Sequence, residues 1–327
     1  MPDWKGGKRG TFFSVAAPPD VTVVLPTRDR LDALGRALGS ALAQAEVSLE
    51  VIVVDDASVA DVAPVVAPLE DERVTTVRLP RNEGVAVARN RGIELARAPW
   101  VAFLDDDDLW APEKLRCQLE AISDGCALSY TGSVYVDERG RPLYERRTPS
   151  PAELRPGLLR TNLIGGPSTV LARTETLRAA GGFDTRLSAL ADWDLWIRLV
   201  AEGEAVSVDR VLAGYTVHAS NMHIGSRRAL ARELRYLREK HRALATSWQT
   251  EVGAPEFSAW LAGRYRASGR RTAAAREYAS LAVRRRRPRH VVQASAAVLG
   301  IPPRERRRPR PDAYAWLAPL DQGADST

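Results

Sequence analysis

The sequence predicts an α/β domain on a largely parallel sheet with helices on both faces, followed by an α-helical C-terminal extension. Short apolar, β-branched runs alternate with helix-spaced segments, the pattern of strands linked by crossover helices. Several of these runs end abruptly in polar or acidic clusters, as strands do at the ligand-binding edge of an open sheet. Beyond residue 223 the composition turns to Ala, Arg and Leu.

Residues 1–19 contain Gly, Lys and Pro and are expected to form a flexible arm. Val21–Leu25 reads as a buried strand stopped by Pro26. Leu31, Leu34, Leu38 and Leu42 recur at helical spacing, predicting a helix over 30–44. Glu50–Val54 is a second strand, ending in Asp55-Asp56-Ala57-Ser58, and Val74–Leu79 a third. A helix over Val85–Ala96 stops at Pro99, and a strand over 100–104 runs into Asp105-Asp106-Asp107-Asp108. Leu115, Leu119 and Ile122 mark the next helix, and Ala127–Val136 a strand. Residues 145–158, with three prolines and a glycine, read as a loop, and a strand-like segment follows Gly165-Gly166-Pro167. Asp192–Val200 has helical spacing, with Gly203 as its C′ residue. Val206–Val208 and Val211–Val217 read as two short closing strands, so the domain spans 20–222.

Residues 223–300 are expected to be helical, mainly over 226–245 and 256–286. The second stretch loosely resembles one tetratricopeptide-type hairpin, but a single copy is no repeat array. Residues 301–327 read as a basic, disordered tail.

No apolar run reaches the roughly 18 residues of a membrane span, and the N-terminal segment lacks a secretory apolar core. Cys117 and Cys126 match no zinc spacing and read as reduced packing residues, so the expected address is cytoplasmic. Residues 223–327 hold 22 basic against 9 acidic side chains, net +13, whereas residues 1–222 hold 25 against 32, net −7. That asymmetry implies different tasks for the two parts.

Four adjacent carboxylates repel one another and are costly to desolvate without a partner. A hard divalent cation, Mg²⁺ or Mn²⁺, would hold several of them at a strand end. The competing reading is an acidic surface turn or the N-terminal cluster of a helix opening near Trp110-Ala111-Pro112.

Pro26-Thr27-Arg28-Asp29-Arg30, Val54-Asp55-Asp56-Ala57-Ser58, Asn82-x-Gly84-Val85-Ala86-x-Ala88-Arg89-Asn90 and Phe103-Leu104-Asp105-Asp106-Asp107-Asp108-Leu109-Trp110 appear in order. Together they resemble the family 2 inverting glycosyltransferases of the GT-A fold, over about residues 20–222. The resemblance implies a nucleoside-diphosphate-sugar donor, a divalent metal and transfer to a nucleophilic acceptor with inversion. It places Pro26, Thr27 and Arg28 at the nucleotide, Asp56 at the nucleobase and Arg89 near the base or diphosphate. It places Asp105 and Asp106 beside the ribose and metal, and Asp107 as principal metal ligand.

Leu190-Ala191-Asp192-Trp193-Asp194-Leu195 is similar to the family's acidic motif before a Trp-rich helix, with Ala191 where Glu is usual. This makes Asp192 the candidate general base; the alternative is a helix N-cap. Asp194 is expected to complement the helix dipole. His218 matches a position near the metal or diphosphate in similar members, although a lone His is often structural. Trp110 and Trp193 are candidates for flanking the sugar or acceptor, or for the core. The acceptor classes implied are a cell-envelope glycan or lipid carrier, a small natural product and a peptide.

The basic C-terminal part admits a solvated helix face, an anionic membrane surface at the inner face of the membrane, or dimerisation or acceptor docking. Nucleic acid is disfavoured, because no interleaved aromatics or binding motif accompany the arginines. Two rival functions are a non-catalytic nucleotide-sugar-binding subunit, suggested by Ala191, and a nucleotidyltransferase. The latter commonly carries a Gly-rich phosphate loop, which Pro26–Arg30 is not.

Overall fold

The computed structural model describes residues 18–137, 139–217, 227–253, 255–267, 270–285, 288–299 and 311–317. Most of the expected N-terminal arm, and His218, lie outside the described residues. Strands β1 (Val21–Thr27), β2 (Leu49–Asp55), β3 (Val74–Arg78) and β4 (Trp100–Phe103) pair in parallel in the order β3-β2-β1-β4. Both β1 and β2 are buried at every position, which explains their near-continuous apolar sequence. Their polar exceptions satisfy each other: Thr22 Oγ1 donates to Glu50 Oε1 at 2.7 Å.

Helices cover both faces. Side-chain alternation along β1 sends Val23 and Leu25 towards α1 (Leu31–Leu42) and Val24 towards α3 (Val85–Leu95). Between them, α2 (Ala63–Val66) is a single turn.

The second half adds β5 (Leu109–Trp110), α4 (Lys114–Ala121), β6 (Cys126–Val136), β7 (Pro142–Arg146), α5 (Pro151–Arg160), β8 (Val170–Arg173), α6 (Thr174–Ala179), α7 (Ala191–Glu202) and β9 (Glu204–Thr216). Here β6 and β9 run parallel, while β8 joins β4 to β6 antiparallel. Antiparallel pairings of β5 with β9 and β7 with β6 complete the sheet.

Four expectations need correction. The presumed loop over 145–158 contains the end of β7 and most of α5. Pro151 occupies the first helical turn, where a missing N–H is harmless, and Ser150 and Glu153 form a capping box. The two closing strands are one, because a register shift between Thr131 and Gly132 absorbs Asp209 and Arg210 without ending β9. Gly203 is extended, with φ −159°, so it does not end α7 left-handed. Its lack of a side chain serves packing, since a Cβ there would lie 2.7 Å from Ala127 Cβ. Within the expected disordered tail, Pro311–Leu317 forms a 3₁₀ segment docked on Val134 and Val136, and Tyr314 Oη donates to Glu145 Oε1 at 2.6 Å.

The extension comprises α8 (Arg227–Lys240), α9 (Arg242–Ser247), α10 (Pro255–Ala267), α11 (Arg271–Arg285) and α12 (Pro288–Val298), more pieces than the two helices expected. One apolar cluster runs from Val24 and Phe103 through Trp193 and Trp196 to Leu237, Phe257 and Tyr278. No described helix is long and apolar enough to cross a membrane.

Candidate active site

The C-terminal ends of β1, β2 and β4 meet, as their polar termini predict. Asp56 N donates to Thr27 O at 2.9 Å, and Thr27 Oγ1 donates to Asp106 Oδ2 at 2.8 Å. Pro26 stays within β1, opposite Val54. The Arg28 side chain is open, 46% exposed, and makes a loose 3.5 Å ion pair with Asp29.

Asp56 is buried and shapes a loop. Its carboxylate accepts the backbone N–H groups of Glu83 at 2.7 Å and Gly84 at 2.9 Å. Gly84 has φ 91°, a left-handed conformation that lets the chain turn into α3 without the steric cost of a side chain. The turn aims Arg89, on the first turns of α3, at the end of β4. Arg89 Nη2 donates to Asp105 Oδ1 at 2.5 Å, and its guanidinium stacks 5.2 Å from the Phe183 ring centre. Arg89 Nε is buried with no hydrogen-bond partner among the described residues. A buried charged donor in that state is costly unless a ligand acceptor meets it.

The four aspartates separate. Asp105 faces Arg89. Asp106 is pushed up to about 6 by burial and by the charge of Asp107, against the pull of Arg30 and Thr27. Asp107 accepts from Arg30 Nη1 at 2.7 Å, and the same nitrogen reaches Asp106 Oδ1 at 3.1 Å. Asp108 is fully enclosed and structural, accepting from Ser168 Oγ at 2.6 Å and Thr216 N at 3.2 Å. Burial and the neighbouring Asp107 and Asp105 hold its carboxyl well above the ordinary value.

Arg30 is the residue that sequence reasoning left without a role, although it closes the Pro26–Arg30 motif. A cavity of about 620 Å³ opens beside it, walled by Asp29, Arg30, Arg36, Val59, Asp107 and Thr216 among others. Asp56, Arg89 and Asp192 lie outside that wall.

No group of three or more His, Cys, Asp or Glu side chains among the described residues forms a metal cage. The donors do fit a hard cation of the Mg²⁺ or Mn²⁺ type. Such ions commonly take one or two carboxylates and complete their shell with water and substrate phosphates.

Asp192 lies in the first turn of α7, two positions after the N-cap residue Leu190, so it is not the cap itself. Its carboxylate accepts from Trp193 N at 2.7 Å and from Asn162 Nδ2 at 3.2 Å. Burial pushes its carboxyl up to about 6; the Trp193 bond, Arg89 and Arg146 pull it down, and Asp105 raises it. Arg89 and Asp105 therefore belong to the electrostatic surroundings of Asp192, which links the end of β4 to the start of α7. Asn162 was not foreseen; it precedes the Gly165-Gly166 turn and accepts Gly165 N at 2.9 Å.

Three further side chains have structural places, the two tryptophans following the core alternative of their reading. Trp110 and Trp193 are core residues, their indole N–H groups donating to Ser168 O at 2.7 Å and Leu158 O at 2.5 Å. Asp194 does more than complement a dipole. Fully buried, it pairs with Arg198 at 2.7 Å, Lys240 at 2.8 Å and His241 at 2.9 Å. The His241, Arg198 and Lys240 contacts outweigh burial and hold its carboxyl below the ordinary value. Asp194→Ala should cost ~3–5 kcal/mol, because three polar partners lose their shared acceptor, and denaturant unfolding at neutral pH measures it.

Comparison with known proteins gives the family and the fold. A family model described as Glycosyl transferase family 2 matches residues 22–180. The chain is 32% identical over 202 residues to TuaG of Bacillus subtilis, named as a glycosyltransferase of teichuronic acid biosynthesis, covering 60% of this chain and 79% of that one. Its fold is similar to S. aureus TarS in complex with UDP-GlcNAc, with TM-score 0.54, 17% identity, and coverage of 86% and 89%. It is also similar to the Pyrobaculum calidifontis mannosyltransferase PcManGT in complex with GDP-Man and Mn²⁺, with TM-score 0.51, 20% identity, and coverage of 88% and 82%. Sheet, strand-end site and relatives together define a glycosyltransferase of the GT-A type. The chain belongs to glycosyl transferase family 2.

Proposed function

We propose that the protein is a metal-dependent, inverting glycosyltransferase that moves a sugar from a nucleoside-diphosphate sugar to a hydroxyl of a cell-envelope glycan or its lipid carrier. The observation carrying this reading is the Asp105–Arg89–Asp192 arrangement. A buried arginine with an unmet donor lies at the end of β4, within the field of a carboxylate on a separate helix. The acceptor class is drawn from the printed role of TuaG; small natural products and peptides are the other classes to test.

In this reading Thr27, Arg28 and the loop shaped by Asp56 receive the nucleotide, and Arg89 meets its phosphates. Asp107 is the proposed metal ligand, with His218 as a second, and Asp105 and Asp106 face the ribose. A divalent cation, when bound, neutralises charge developing on the departing diphosphate. Asp192 takes the acceptor proton as its oxygen attacks the anomeric carbon opposite the nucleotide. One C–O bond forms, the bond to the diphosphate breaks, and the configuration inverts. Residues 20–222 carry the chemistry; a cytoplasmic address at the inner membrane face suits a lipid-linked acceptor.

The test is a thermal-shift screen of UDP-, GDP- and dTDP-sugars with and without Mn²⁺. One nucleotide series should raise the melting temperature by several degrees, more with Mn²⁺, because ligand that binds only the folded state stabilises it by mass action. Absence of any shift across all three series would remove the donor reading.

A further inference from the structure

We infer that the C-terminal helix α8 is a brace that sets the Asp192-bearing end of α7 from outside the catalytic centre, with Glu233 and Lys240 as positioning residues. The inference rests on Asp192 acting as base. Leu190, the N-cap residue of α7, has no side-chain cap. The amides of Ala189 and Leu190 lie just ahead of α7, next to the turn on which the candidate base is mounted. Glu233, forty-odd residues later, fixes this entry to the helix: its Oε2 accepts from Ala189 N at 3.0 Å and Leu190 N at 3.1 Å.

One turn into α7 the end of α8 and the cap residue of α9 grip again. Lys240 Nζ lies 2.8 Å from Asp194 Oδ1 and 2.8 Å from Asp184 Oδ2, and His241 Nε2 lies 2.9 Å from Asp194 Oδ1. Tyr236 Oη donates to Asp184 Oδ2 at 2.8 Å, which ties down the segment carrying Phe183, the ring beneath Arg89. Trp193, adjacent to Asp192, stacks on Phe257 of α10 with ring centres 5.3 Å apart. Two carboxylates and one ring thus fix α7 on either side of Asp192, all from contacts with the extension. Among the described residues, the side-chain contacts of Thr27, Asp56 and Asp105 on the donor side are made within the sheet domain. An interaction that sets the base without touching the donor should act on turnover and spare donor affinity.

The experiment uses the full chain with Glu233→Ala, Glu233→Gln and Asp192→Asn, and the nucleotide sugar that binds in the screen. Its readouts are hydrolysis of that donor, donor Kd by calorimetry, and hydrogen exchange at the amides of Ala189 and Leu190. Glu233→Ala should lower kcat about ten- to a hundredfold, keep donor Kd within about twofold, and speed exchange at both amides. Glu233→Gln, which keeps an acceptor oxygen, should retain most of the turnover. Should Glu233→Ala melt too low to assay, Phe257→Leu, which loosens the ring stacked on Trp193 and leaves the Asp184–Phe183 segment alone, carries the same split between kcat and Kd. The brace is overturned if Glu233→Ala turns over normally while Asp192→Asn is dead, or if kcat and donor affinity fall together. If Asp192→Asn itself turns over, the base assignment is what fails.

Discussion

Asp192→Asn should abolish transfer, by at least about a hundredfold in kcat, while leaving donor binding within about twofold. The same substitution should raise the stability of the protein at neutral pH. The carboxyl of Asp192 is pushed up to about 6 in the folded chain against an ordinary 3.8. Between those values the unfolded chain gives up this proton first. Stability therefore falls as pH rises from about 4 to about 6, and above that the folded state carries the full cost of the charge, ~1–3 kcal/mol. Activity runs the other way. A general base must be ionised, so kcat should climb through about pH 6 and level off. A kcat–pH profile and melting curves of wild type and variant at pH 4, 6 and 8 test both limbs. Equal turnover by the variant, or a rate that falls with pH across this range, would remove Asp192 from the mechanism.

Asp107→Asn should remove the Mn²⁺-dependent part of the donor thermal shift and lower transfer on the order of a hundredfold. Asp107 and Asp106 share the Arg30 guanidinium, 2.7 and 3.1 Å away, so the variant keeps a charged pair between Arg30 and Asp106 and should fold. The fold is thereby separated from the chemistry: melting without ligand should change little, whereas the response to Mn²⁺ with nucleotide should vanish. A variant that keeps the full Mn²⁺ response would move the metal to another ligand.

The parallel half of the fold was legible because its signals are local. Apolar β-branched runs, their lengths and their polar endings place β1, β2 and β4, and the Gly84 turn with Arg89 sits within one motif. In the second half the strands were expected but their pairing was not legible, since β8 joins β4 and β6 antiparallel and β9 joins β6 in parallel, with partners far away in sequence. Residues 145–158 were misread from their prolines, although Ser150-Pro151-Ala152-Glu153 spells a capping box. At the site, motif residues came together as expected around Thr27, Asp106, Arg89 and Asp105. Arg30 and Asn162 escaped because their roles come from geometry: Arg30 reaches 76 and 77 positions along the chain, and Asn162 reaches 30. Asp194 escaped for the same reason, its partners Lys240 and His241 standing at the α8–α9 junction of an extension that composition alone marked only as basic.

The unbroken apolar cluster joining the sheet to α8, α10 and α11 bears on how this protein can be cut, fused or recombined. A chain ending near residue 222 would present Trp193 and the neighbouring surface of α7 to water, and would leave buried Asp194 with Arg198 alone among its cationic partners. Such a fragment should aggregate rather than behave as a portable module. Calorimetry of the whole chain should accordingly show the extension and α7 melting in one transition. Exchanging extensions between relatives would succeed only where the incoming helices bring an acceptor for the Ala189 and Leu190 amides and a cation for Asp194. The extension and the end of α7 that bears Asp192 are thus packed as one unit.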